Sequence, residues 1–110
     1  MKKKGTTWDT VVKLGLAMRK VEESTSYGTP SLKAKKKFLL RLKEDGESIA
    51  IKIGFDEREM LMSANPEAFY LTDHYRPYPA MLVRLSKLTR EELSDVLKLA
   101  YEFVTSKRVP

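Results

Sequence analysis

Cysteine is absent from all 110 residues, so the chain can form no disulfide, bind no metal through thiolate and use no cysteine nucleophile. Histidine occurs once, at His74, so a zinc site of three or four protein ligands would have to be completed by carboxylates. No apolar run approaches the roughly 18 residues that a membrane-spanning helix requires. A Gly-x-Ser-x-Gly nucleophile elbow, a phosphate-cradling glycine loop, a dinucleotide fingerprint and an RNP-type aromatic motif are all missing, which removes support for serine hydrolases, nucleotide enzymes and RRM-like readers. Acid is the sparser charge, with 15 Asp and Glu against 21 Lys and Arg, and the net charge is +6. A hydrophobic fraction of 42% at this length supports one small globular domain spanning 1–110, with no repeat or linker. Lys2-Lys3-Lys4 runs into Gly5-Thr6-Thr7 without the apolar core of a secretory signal. The expectation is a cytoplasmic protein whose residues 1–6 form a flexible basic tail.

What is present is periodicity. From Thr7 to Arg19 the apolar residues Trp8, Val11, Val12, Leu14, Leu16 and Met18 recur at helical spacing, with Gly15 in mid-stripe as the expected point of closest approach to a sheet. From Val21 to Ile53 the period falls to two. Tyr27-Gly28-Thr29-Pro30, Lys35-Lys36-Lys37 and Glu44-Asp45-Gly46-Glu47 punctuate it as turns. Strict alternation places Phe38, Leu40 and Leu42 on one side of a strand and Lys37, Leu39, Arg41 and Lys43 on the other. Its hairpin partner sets Ile49, Ile51 and Ile53 against Ser48, Ala50 and Lys52. Asp56 with Glu59 has the spacing of a capping box ahead of a short helix ended by Asn65-Pro66. A brief strand at Phe69–Leu71, a Pro-rich loop from Thr72 to Pro79 and a strand at Met81–Leu85 follow. Thr89 and Glu92 then form a second capping box, opening a helix with Leu93, Val96, Leu97, Ala100, Phe103 and Val104 on its apolar face.

The pattern bearing most on function is the solvated side of this sheet, where Lys37, Arg41, Lys43, Lys52 and Arg84 project from three strands with hardly an acidic residue among them. Lys33 and Lys35 extend the set. Such a face concentrates phosphate-bearing polymers and binds them by counterion release without reading bases. Outward lysines also keep a sheet soluble and discourage edge pairing, so the pattern has a plain structural use as well. His74 beside Asp73 invites a general-base or metal role, but neighbours in sequence seldom face one another, and the alternative is a loop held on the sheet by His74 and its tyrosines. Glu22 and Glu23 point to opposite sides of their strand and make a poor catalytic pair.

The stretch Glu23-Ser24-Thr25-Ser26-Tyr27-Gly28-Thr29-Pro30-Ser31-Leu32-Lys33, the Lys-Phe before the next strand, Thr72-Asp73-His74-Tyr75 through Tyr78-Pro79, and Leu82-Val83-Arg84-Leu85 resemble the MmcQ/YjbR family. The likeness runs from about Trp8 to Phe103. It departs at Ala80-Met81, where many members have Gly-Trp. The resemblance implies a two-layer α+β fold: an antiparallel sheet with N- and C-terminal helices packed on one face and a short helix in the middle of the chain. Members are labelled DNA-binding because their sheet and hairpins are similar to the double-wing arrangement of a phage transcription factor. The shape is also similar to frataxin-like and secretion-chaperone-like domains. Frataxin-type iron binding needs an acidic first helix, whereas this one offers Asp9 beside Lys13, Arg19 and Lys20.

The resulting expectation is a monomeric, non-enzymatic DNA-binding protein with no cofactor and no metal, holding double-stranded DNA with little base specificity through Lys37, Arg41, Lys43, Lys52, Arg84, Lys35 and Lys33. Four to six engaged phosphates would give a slope of roughly −4 to −5 in log K against log salt. The alternative is a protein- or peptide-binding module with an exposed apolar groove and no nucleic-acid role.

Overall fold

In the computed structural model, residues 5–106 are described. The first helix, α1 (Trp8–Leu16), leads into two strands, β1 (Val21–Ser26) and β2 (Thr29–Ala34), and then into β3 (Lys37–Leu42) and β4 (Ser48–Lys52). Next come α2 (Phe55–Ala64), the two-residue β5 (Phe69–Tyr70), β6 (Ala80–Arg84), a 3-10 turn at Leu85–Lys87 and the long α3 (Arg90–Thr105). The six strands form one antiparallel sheet in the order β1-β2-β3-β4-β6-β5. The fold is α+β, as the periodicities and the resemblance both imply.

Two of the hairpins turn on pairs of residues with positive φ: Tyr27 (φ 53) with Gly28 (φ 79), and Lys35 (φ 51) with Lys36 (φ 71). Paired left-handed residues give a two-residue loop the twist that antiparallel strands need. At the Lys43–Ser48 connection, the Asp45 carboxylate accepts from the backbone N–H groups of Glu47 (2.8 Å) and Ser48 (2.9 Å) and from the Ser48 hydroxyl.

The core lies on the side of the sheet that carries α1 and α3. Across the register, Leu32, Leu40, Ile51 and Met81 form one row and Leu42, Ile49, Val83 and Phe69 the next, packed with Val11, Leu93, Val96, Leu97 and Ala100. Gly15 is the close approach expected of it. A Cβ there would run into Cδ1 of Leu32, which is fully buried. The N-terminal segment is firmer than a tail at its inner end, since Gly5 N–H donates to Leu88 O (2.9 Å) and the buried Thr6 donates twice to Leu85 O. Lys2, Lys3 and Lys4 lie outside the described residues.

Three local expectations are corrected. The cap of α2 is Gly54, in extended conformation, and Asp56 and Glu57 lie in the first turn, where exposed N–H groups favour negative charge; no Asp56–Glu59 box forms. Phe103 stays 40% exposed at the rim of the α3 apolar face, while Leu93, Val96, Leu97, Ala100 and Val104 are buried. The third concerns β3. Strict alternation fails there because Leu32 pairs with Leu40 and the next residue, Lys33, pairs with Phe38, so Leu39 is an extra residue in the strand. The bulge lets both Leu39 and Leu40 enter the core and turns Phe38 to the opposite side of the sheet. The capping box of α3 forms as its spacing requires, with Glu92 N–H donating to Thr89 Oγ1 (3.1 Å) and Thr89 N–H to Glu92 Oε1 (2.9 Å).

Candidate functional site

The sheet side without α1 and α3 is defined by register. Ser31, Arg41, Ala50, Leu82 and Tyr70 align across five strands, with Lys33 and Phe38 beside them in one direction and Ser48 and Arg84 in the other. The surface is far from bare. Ser31, Arg41, Ser48, Ala50 and Leu82 are all buried. Over it lie the Tyr27-Gly28 turn and the 72–79 loop, leaving between them a groove of about 820 Å³ lined by Ser26, Tyr27, Phe38, Arg41, Ala50, Ile51, Lys52, His74, Tyr75, Tyr78 and Ala80. That volume is within the range of small-ligand sites. Its lining holds Arg41, Lys52 and His74 and no carboxylate.

The seven cations read from the sequence have different fates. Lys33, Arg41, Lys52 and Arg84 do share this side of the sheet. Lys37 does not: on the far side of the Leu39 bulge it pairs with Ala34, a core residue, and emerges on the helix side of the strand end. Lys35 belongs to the hairpin turn. Arg41 is 8% exposed and already engaged, its Nη1 donating to Thr29 Oγ1 (3.1 Å), Leu42 O (3.4 Å) and Glu44 Oε2 (3.4 Å). The Glu44 carboxyl is held below its usual range by its own backbone N–H and then by Arg41, so that ion pair persists at neutral pH. Lys43 donates to Tyr75 Oη (3.3 Å) and lies 3.9 Å from Glu44. Arg84 donates to Glu67 O (2.9 Å). The plane of five cations that a duplex backbone would meet is therefore reduced to Lys52 with Arg84 and Lys43 at its flanks, and Lys33 lies on the same side beyond Phe38.

Periodicity gave no notice of how these cations are housed. Arg41 stands over the Tyr27 ring (5.1 Å to its centroid), Lys43 over Tyr75 (5.2 Å) and Arg84 over Tyr70 (3.9 Å). Each ring partly screens and orients its cation, a contribution of about 0.5–1 kcal/mol at exposed sites. His74 packs edge-on against Tyr75, with centroids 5.0 Å apart and planes at 89°, and lies 6.1 Å from the Tyr78 ring. The imidazole thus sits among the loop tyrosines, as the structural alternative for it supposes. Among the described residues no group of three or more His, Cys, Asp or Glu side chains is placed to hold a metal ion, and no helix is long and apolar enough to cross a membrane.

The loop that carries His74, Tyr75 and Tyr78 is fixed from behind by a residue the sequence did not flag. Arg58 of α2, 5% exposed, donates from Nη1 to Tyr78 O (2.7 Å) and Ala80 O (3.2 Å) and from Nη2 to Arg76 O (3.3 Å). Within the loop, Tyr75 N–H bonds Thr72 O and Tyr78 N–H bonds Tyr75 O, each at 3.0 Å. A continuous set of turns results, consistent with prolines that exclude strand pairing.

This arrangement of sheet, hairpins and loop has relatives. The family model described as YjbR matches residues 16–103. The chain belongs to the YjbR family. The YjbR domain is also similar to the crystal structure of Deinococcus radiodurans protein DR2400, which carries the family-model domain DUF419. The TM-score is 0.78 at 18% identity, covering 100% of this chain and 86% of that one. At that identity the likeness speaks for the YjbR fold alone. Among curated proteins nothing matches the sequence.

Proposed function

We propose that this YjbR domain is a non-enzymatic nucleic-acid-binding module that engages phosphates along the groove side of its sheet, with Lys52 at the centre and Lys43, Arg84 and the buried Arg41 around it. The observation that carries the reading is the groove itself, whose lining includes Arg41, Lys52 and His74 and no acidic side chain, in a chain of net charge +6. Phosphates of a flexible polymer can enter such a recess, and contacts of this kind position a strand without specifying its sequence. Since Lys37 leaves the face and Glu44 offsets Arg41, about three phosphates are engaged in place of four to six. The slope of log K against log salt is then roughly −2 to −3.

Fluorescence titration of labelled oligonucleotides between about 50 and 200 mM salt tests this directly. Lys52→Ala should weaken binding of every sequence to a similar extent and make the salt slope less steep by about one. Failure to bind at the low-salt end, or affinity indifferent to salt, would sink the proposal. The apolar floor of the groove, formed by Phe38, Ala50 and Ala80, is the observation that favours a peptide-binding module instead. That reading requires capture of an extended peptide that survives about 0.5 M salt, where exposed charge pairs are screened.

A further inference from the structure

Resting on the nucleic-acid reading above, we infer that the groove takes an unpaired nucleobase, so that the preferred ligand is single-stranded and is held by ring stacking as well as by phosphate contacts. A two-residue hairpin turn with positive φ at both positions favours Asn-Gly or Gly-Gly, and a side chain with a Cβ pays roughly 1–2 kcal/mol to sit there. The YjbR domain places a tyrosine, Tyr27, in that position, at φ 53, and leaves it 86% exposed, with the Arg41 guanidinium over the ring offsetting only part of the strain. A large aromatic ring held in an unfavourable backbone conformation and presented to solvent is a local rule broken where a ligand would use it.

Tyr78, which lines the same groove, is 54% exposed although its backbone is fixed by Arg58 and Tyr75. Both tyrosines line one groove with Phe38 and Lys52. Exposed, rigidly mounted rings beside cations are the elements that hold single strands, because every base offers a π-face while a phosphate follows each base. A duplex keeps its bases stacked inside and could use only the cations, of which too few are free to form a plane. Charge complementarity and ring placement therefore agree on one occupant.

The test compares three labelled probes with the full-length protein: a single-stranded oligothymidylate, an abasic strand of the same length and charge, and a duplex. The oligothymidylate should bind at least about tenfold more tightly than the abasic strand. Tyr78→Ala should remove most of that difference, and Tyr78→Phe should restore it, since stacking needs the ring and not the hydroxyl. Tyr27→Asn provides a second variant suited to the left-handed turn, and it should lose base-dependent binding while keeping or raising thermal stability. Equal affinity for the abasic and thymidylate strands, or tighter binding of the duplex, overturns this inference and leaves the phosphate reading standing. Absence of binding to all three probes overturns both.

Discussion

Arg58 carries a permanent charge into a site where only 5% of its surface is exposed, and it meets carbonyl oxygens there rather than a close carboxylate; the nearest, Glu59, is 4.0 Å away. Three carbonyl groups of the 76–80 segment depend on it. Replacing it by Met keeps much of the apolar stem but takes a donor from each of those acceptors, leaving Tyr78 O with the Ala80 N–H alone, so Arg58→Met should cost about 2–4 kcal/mol, read as a lowered midpoint in denaturant unfolding. Amide exchange should accelerate at Tyr75, Tyr78 and Ala80 more than in α1, because the loop loses its anchor while the first helix does not. An unchanged exchange pattern would mean that the loop holds itself. Nothing in the helical period singles out Arg58, since a short amphipathic helix places arginine on its wet face by default. The signal is tertiary, arising from carbonyls that only the folded loop brings within reach of one guanidinium.

At the scale of elements, caps and turns carry stability that can be measured separately. Thr89→Ala removes the acceptor for Glu92 N–H and should lower stability by about 1 kcal/mol, while the helix remains because its packed face is intact. The turn between β3 and β4 has a pH signature. The Asp45 carboxyl is held below its ordinary value chiefly by the Glu47 N–H, with Ser48 adding to it, against a smaller opposing effect of burial. A group whose folded pKa is depressed stabilises the fold above its unfolded value and loses that contribution as pH falls through the folded one. The thermal unfolding midpoint of the wild type should therefore fall as pH drops below about 4, and Asp45→Asn should flatten part of that fall. Identical acid limbs for the two proteins would count against the assignment. Most elements were legible in the sequence because their cues are local: the α3 cap, the Asp45-Gly46 turn and the apolar period of α1 each need only a few neighbouring residues. The phase of β3 was not. Phe38-Leu39-Leu40 is three apolar residues in succession, a hint that alternation breaks, but which of them becomes the extra one depends on partners in β2 that no local pattern names.

For the molecule as a whole, the sheet separates two tasks. The side bearing α1 and α3 supplies the core, and the other side holds the groove, so their variants should report on different properties. Leu40→Ala should cost 2–5 kcal/mol of stability yet leave oligonucleotide affinity within about twofold wherever the protein remains folded. Lys52→Ala should do the reverse, with stability changed by less than about 0.5 kcal/mol. Calorimetry and binding titration on the same preparations check both. The candidate site was only half legible for the same reason: charge could be counted along the chain, but the rings that accompany it come from a turn, a bulged strand and a Pro-rich loop remote from one another in sequence.

Leu39 fixes more than its own place. Passed over between Phe38 and Leu40 in the pairing with β2, it shifts the alternation so that Phe38 faces the groove and Lys37 the helix side; a deletion at 39 would keep those pairings, Phe38 with Lys33 and Lys37 with Ala34, and would cost the core one buried side chain. A deletion one position away, at Phe38, would instead bring Leu39 opposite Lys33 and out of the apolar layer, so the two neighbouring deletions should differ sharply in their effect on the groove.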